Sequence, residues 1–452
     1  MRASAIRIAT FTLGAWFAFR FISDWPRGAE ASSVTVSDWL LNLSYFGLVP
    51  WLAMAILALV SIGQLFRLIS IDRISRAHMA FIAFQFIGLY TIAHDFGNAG
   101  LIAGSYIILV SISFLMTYLL GVVSGYMLAS ETVEQASRRT LFWVTLCILP
   151  CLAIGGFQLL TGTGRDVGGI PRIYGGTSSP NILAALLLVF LSLLLWSGEA
   201  QMTNARKALV AVTIGLFVAC FSMAGMGVLV GMFGIFWLIS GIKSGRLRFR
   251  FSWVFGGLIA VAVILYFADS ILAERLAELQ SDDNSVTWRT RTWLSYFDLL
   301  KDIQFFLVGG GLGFDHLGVD QEPHNEWLRV LLETGVVGLL LFVRTWWVLV
   351  RSLFEISRLP DPGLQRRAIG MIAAFGALAV WAMADSVLRT APSALLLWGV
   401  AGILVGASRS YYQRTLRGAP VIVTEAVHVM PAKSGGLPQG LNVARMLDTV
   451  KN

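Results

Sequence analysis

The chain has 452 residues, 56% hydrophobic and 13% charged, with a net charge of +8 and a mean hydropathy of +0.73. Soluble globular chains carry about a quarter charged residues, so this composition excludes an ordinary soluble fold and points to a polytopic membrane protein. The basic residues sit in short loops between apolar runs, which fits the positive-inside rule and not a nucleic-acid surface.

A bilayer is crossed by about 20 apolar residues. Reading along the chain on that measure places spans near 5–22, 42–66, 79–97, 101–128, 140–160, 181–197, 208–222, 224–241, 251–272, 335–354, 368–388 and 392–408. The expected fold is therefore all-α, a transmembrane bundle of about twelve spans. The first apolar stretch, Ile8 to Phe19, is followed by Ser23-Asp24-Trp25-Pro26-Arg27, a poor cleavage site, so it reads as a retained span. The 208–241 pair is parted only by Ala224-Gly225, a tight turn or a re-entrant segment. Cys147, Cys151 and Cys220 all fall in apolar runs and read as small core residues, not disulfides or metal ligands.

Arginine and lysine cluster in alternate loops: Arg67, Arg73 and Arg76; Arg138 and Arg139; Arg206 and Lys207; Lys243 to Arg250; Arg351 to Arg367. Positive-inside places these loops and both termini in the cytoplasm. The opposite side then holds the 161–180 loop and the 273–334 loop, the latter with eleven acidic against five basic residues. Loops this long are functional or disordered. Trp288, Trp293, Tyr296 and Phe297 at helical spacing predict a folded, partly helical one. The transmembrane domain is read as 1–416, and 417–452, poor in apolar residues, as a disordered cytoplasmic tail.

Four stretches could carry chemistry. In the first, Arg172 precedes Ser179-Pro180-Asn181, an N-cap and helix start. An arginine beside a helix N-terminus suits a phosphate, or it anchors at lipid headgroups. The second is Trp288-Arg289-Thr-Arg291-Thr-Trp293, where Arg289 and Trp293 share a helix face. Such arginines grip phosphate or pair with nearby acids. The third, Gly309-Gly-Gly-Leu-Gly313, lacks the lysine and serine of a phosphate loop and reads as a turn. The fourth is Pro323-His324-Asn325-Glu326-Trp327, which feeds a helix with Glu326, Arg329 and Glu333 at ion-pair spacing. Here His324 is either a proton acceptor or a capping residue. Within the spans, Arg344 is a functional residue or snorkels to the cytoplasmic side, and Asp385 faces the same site or caps the bundle.

The segment His324-Asn325 followed by Gly335-Val-Val-Gly338 resembles the signature of the O-antigen ligase superfamily, which includes O-antigen ligases and surface-polysaccharide polymerases. Arg172 with Gly175 and Pro180-Asn181, and Arg289 with Trp293 and the glycine run, resemble its earlier arginine motifs in order. The likeness covers roughly 161–345 at motif level and nearly all the chain in layout. The resemblance implies a multi-pass enzyme of the bacterial inner membrane that acts on the periplasmic face without cofactor or metal. It would move a glycan from an undecaprenyl diphosphate carrier, with inversion, onto a sugar hydroxyl of another glycan or of lipid A core. Membrane lipids and polysaccharide assembly proteins would be its partners, and nucleic acid would not. In that scheme His324 is the general base. Arg172 and Arg289, or Arg291 in its place, hold the diphosphate, while Asn325, Asn181 and Trp293 support them. A flippase for lipid-linked oligosaccharide is the rival, but it should concentrate polar residues at midplane.

Overall fold

The computed structural model describes residues 72–129, 133–167, 170–177, 179–196, 202–244, 285–312, 323–388 and 391–416. The expected spans at 5–22, 42–66 and 251–272 and the expected tail lie outside them. Among the described residues the fold is helical, with one two-stranded hairpin. Among the described residues, five segments are long and apolar enough to cross a membrane: Ile107–Leu128, Ser137–Thr161, Ala224–Ile242, Glu326–Ser357 and Ser393–Thr415. The protein is a multi-pass membrane protein.

Helix α1 (Arg73–Leu128) takes in two expected spans. Residues 33 positions apart on a straight helix would be about 50 Å from one another. Yet His78 Nε2 lies 2.8 Å from the Ser111 carbonyl oxygen, and the Tyr118 hydroxyl donates to Asp72 at 3.2 Å. The helix therefore doubles back as two antiparallel arms. It turns between Ile92 and Gly104, where a Cβ on Gly104 would meet Leu89 at 2.7 Å. The expected stretches 79–97 and 101–128 thus fall on one continuous helical segment, of which Ile107–Leu128 is long and apolar enough to cross a membrane.

Helix α2 (Val133–Thr161) leads to the hairpin of β1 (Arg165–Val167) and β2 (Ile170–Arg172), which pairs Arg165 with Arg172. The hairpin refines the all-helical expectation. Gly164 permits it, because a Cβ there would stand 2.6 Å from the Arg172 carbonyl oxygen. Helix α3 (Pro180–Leu195) starts as read from the sequence, with Pro180 in the first turn and Ser179 Oγ accepting from the Ile182 N–H. Leu183 to Leu191 have no exposed surface, as expected of a helix apolar all round. At its other end the carbonyls of Leu194 and Leu195 accept from Arg206. Arg206 is buried. It belongs to a helix C-cap, where its cation meets the negative dipole end, and not to an open basic loop.

Helices α4 (Asn204–Ala219) and α5 (Met223–Ser244) follow. The turn between them falls at Cys220–Ser222, ahead of the expected Ala224-Gly225, with Phe221 at φ 46° and Ser222 Oγ accepting from the Gly225 N–H. Then come α6 (Ser285–Leu299), α7 (Ile303–Val308), α8 (Glu326–Ser357), α9 (Pro362–Trp381) and α10 (Ala391–Leu416).

The closest helix contact joins the second arm of α1 to α10. Gly121 and Gly125 lie against the backbone of Gly399 to Ile403, and Gly402 and Gly406 lie against Tyr118 and Val122. Inside a bilayer no hydrophobic force drives helices together, so small residues four apart let backbones approach and gain dispersion contact. At the far end of this pair Arg409 and Tyr118 both reach the Asp72 carboxylate. A chain of tilted and edge-on rings, Trp327, Phe342, Trp346 and Trp398, carries the core towards the opposite end, with centroids 5.7, 5.9 and 5.4 Å apart.

Replacing Gly402 by Leu forces the pair apart and should cost about 1–3 kcal/mol or more. We expect a fall of several degrees in the melting temperature of the detergent-purified chain. Gly231→Leu, at a position with nothing within 4 Å, should leave it unchanged.

Candidate functional site

Helix α8 is two helices joined at Gly335, whose φ of 64° and ψ of −174° leave the helical region. The first part, Glu326–Thr334, packs Leu328 and Leu332 against Tyr296 of α6, with Trp293, Leu299 and Phe305 around them. Trp327 turns the other way, donating its indole N–H to the Ala379 carbonyl at 3.1 Å. Arg329 pairs with Glu333 at 3.1 Å, as the spacing predicts, and the Glu333 side chain is fully buried. The glycine run is a docking surface as well as a turn. The Gly309 N–H closes α7 on Phe305, and the Gly310 N–H donates to the Leu332 carbonyl at 2.9 Å.

Four hydrogen bonds clamp the loop ahead of α8. Trp293 Nε1 donates to the Pro323 carbonyl at 2.6 Å. Asn325 caps α8, its Oδ1 accepting from the Leu328 N–H at 3.1 Å, and its carbonyl accepts from the Arg329 N–H at 2.9 Å. The Glu326 N–H donates to the Ala382 carbonyl at 2.8 Å, tying the loop to the end of α9. Between these points His324 adopts φ 45°. The left-handed region is uncommon for residues other than glycine, and holding one there costs about 1–3 kcal/mol. Strain of this kind persists only where surrounding contacts fix it, and here they aim the imidazole.

The imidazole faces Asp385. His324 Nδ1 lies 3.7 Å from Asp385 Oδ1, with 42% of the His324 side chain and 19% of the Asp385 side chain exposed. That oxygen also accepts from the Ser386 N–H at 2.8 Å, and Asp385 Oδ2 accepts from Asn181 Nδ2 at 2.6 Å. Asn181 Oδ1 accepts from Arg172 Nη2 at 3.1 Å, and Arg172 Nε donates to the Cys220 carbonyl at 2.8 Å. A polar relay thus runs Arg172, Asn181, Asp385, His324. It joins the end of β2, the first turn of α3, the turn after α9 and the loop before α8. Asn181 and the Cys220 carbonyl orient the guanidinium.

The loop bearing Arg172 is itself held by Gln158 of α2, whose Oε1 accepts from the N–H groups of Tyr174 and Gly175 at 3.0 and 2.9 Å. Gly175, at φ 56°, admits this turn. Nothing in the sequence singles out Gln158, one polar residue in an apolar run. Asp385 carries a signal, an acid near the end of an expected span, but sequence alone leaves its direction open.

On α6, Arg289 is half-buried one turn before Trp293, so it stands about 6 Å along the helix from the indole that holds Pro323. Arg291 lies two residues on, on the far, exposed side. The fold brings Arg289 towards the His324 loop and turns Arg291 away. Arg344 lies on the exposed flank of α8 among Leu340, Val343 and Trp347, about 14 Å along the helix from Gly335, and is not gathered with the others.

Burial pushes the Asp385 carboxyl up, but His324, the Ser386 N–H and the Asn181 amide together outweigh it, and the group is held below its usual value. A depressed carboxyl stabilises the fold in its ionised form, fully above pH of about 3.9, and loses that contribution as pH falls through its lower folded value. Asp385→Asn should therefore melt below the wild type at neutral pH, and the gap should close in acid below about pH 4. The check is a pH series of thermal melts in detergent.

No curated protein matches the chain. A protein-family model described as O-antigen ligase matches residues 202–343. The matched segment runs from the start of α4 into α8 and contains Arg289, Trp293, His324 and Asn325. Arg172, Asn181 and Asp385 lie outside it and reach the site through the relay. Residues 202–343 are thus similar to the O-antigen ligase family, and this match supports the resemblance read from the motifs.

Proposed function

We propose that the protein transfers a saccharide from an undecaprenyl diphosphate carrier to a sugar hydroxyl on the periplasmic face of the bacterial inner membrane. It acts there as a surface-polysaccharide polymerase or an O-antigen ligase. The observation that carries this reading is the relay itself. Three expected site residues, Arg172, Asn181 and His324, converge through Asp385 at one end of a membrane bundle.

In this mechanism Asp385, ionised at working pH, orients His324 from its Nδ1 side, and Nε2 serves as the base. Nε2 takes the proton of the acceptor hydroxyl as its oxygen attacks the anomeric carbon. The new glycosidic bond forms as the bond from that carbon to the diphosphate oxygen breaks, on the opposite face, with inversion. The diphosphate leaves with the bonding pair, and Arg172 and Arg289 neutralise the charge that develops on it. Asn181 is a positioning residue that sets the spacing between the base and the arginine. Arginines supply the cationic stabilisation in this scheme, so the reaction as written needs no metal.

A positioned base contributes about 10²–10⁴-fold. Transfer by His324→Ala, measured with purified protein and carrier-linked glycan, should fall by that order with expression unchanged. Full activity would remove the base assignment. Arg172→Ala and Arg289→Ala should each slow release of carrier diphosphate, whereas Arg291→Ala should do so far less. Equal losses at Arg289 and Arg291 would overturn the choice between them. Glycan transfer in detergent, where there is no membrane barrier, separates this reading from a flippase, which would show none.

A further inference from the structure

Helix α6 divides into three lengthwise sectors. Arg289, Trp293 and Tyr296 face the bundle, and Tyr296 is fully buried. Arg291, Ser295 and Asp298 form an exposed polar sector. Between these two sectors Leu294 and Phe297 project outward, 61% and 51% exposed. Helix α7 repeats the theme with Ile303, Phe306 and Leu307 exposed while Phe305 packs inward. Exposed large apolar side chains at this density on water-facing helices would be a liability.

Their depth accounts for them. The backbone of Leu307 and Val308 presses on Gly335, where a Cβ would meet the Val308 nitrogen at 2.5 Å. Two residues after Gly335, Val337 begins the exposed apolar stripe of α8 that continues through Leu340, Val343 and Trp347. The end of α7 thus adjoins the start of this exposed apolar stripe. The exposed Lys301–Asp298 pair, at 2.6 Å, and Arg291 lie beside the apolar sector.

We propose that α6 and α7 form an interfacial hairpin seated in the bilayer leaflet on the His324 side. Leu294, Phe297, Ile303, Phe306 and Leu307 enter the upper acyl region, and the occupant of this surface is membrane lipid. A helix with one apolar and one polar flank lies in the interface plane with its apolar side a few ångströms deep. One consequence is that Arg289 is held at the depth of lipid-borne phosphate. The placement itself does not depend on the transfer reaction, and its test reads depth, not activity.

The test uses the full chain in lipid nanodiscs, with the buried native cysteines Cys147, Cys151 and Cys220 replaced by serine. Single variants Phe297→Cys, Ile303→Cys, Phe306→Cys and Ser295→Cys are labelled with bimane. Lipids bearing a nitroxide on an upper acyl carbon should quench the first three about twofold or more above the Ser295 site. Aqueous iodide should quench the Ser295 site preferentially. Iodide quenching of all four would overturn the proposal in favour of a solvated hairpin. Protection of the three apolar sites from both quenchers would overturn it in favour of a protein covering. Failure of transfer by His324→Ala to fall would leave this result untouched, so the two readings fail separately.

Discussion

A single backbone collision organises the functional end of this molecule. At Gly335 the chain leaves the helical region in a space where a Cβ would strike Leu307 and Val308. Any other residue would have both to adopt a left-handed conformation and to displace the end of α7. Because glycine allows the contact, α8 breaks there. The first part tilts to pack on α6, and the second descends as an apolar span. The glycine run after α7 fills the angle, with Gly309 against Glu333 and Thr334 and Gly311 against Ile92 of α1. The position of His324, the strain it bears and the approach of Arg289 all follow from this corner.

The relay shows how a polar site can be built at the end of an apolar bundle. An isolated charge there would be costly, so each group is matched to its neighbour. Arg172 meets a helix C-terminal carbonyl and an amide oxygen, the amide nitrogen meets Asp385, and Asp385 meets His324. The asparagine has a chemical advantage in this place. It accepts on one side and donates on the other, so it bridges a cation and an anion.

Much of this was legible in the sequence, and the parts that were not have physical reasons. The apolar runs, the Ser179 cap and the Arg329–Glu333 pair follow from local periodicity and were readable. The break at Gly335 coincides with the expected start of a span, although the helix ahead of it, Glu326–Thr334, packs as a separate piece. Arg206 misled, because a basic residue between apolar runs looks the same whether it faces water or caps a buried helix. Asp385 and Gln158 act through partners 204 and 16–17 residues away, and no window on the sequence reports such contacts. The glycines of α1 and α10 were visible as small residues four apart, but which helix each would meet depends on the fold.

Helix α3 has a consequence that reaches beyond the site. Buried on every side, it carries Asn181 at one end, and Arg206 holds the carbonyls at the other. Such a rod, about 24 Å long, cannot yield locally, so a displacement at its Arg206 end is delivered to Asn181 nearly undiminished. The spacing of Arg172 and Asp385 about Asn181 is thus governed partly from the other end of α3. Drift in sequence should be tolerated least along this rod, even where no side chain reaches the relay.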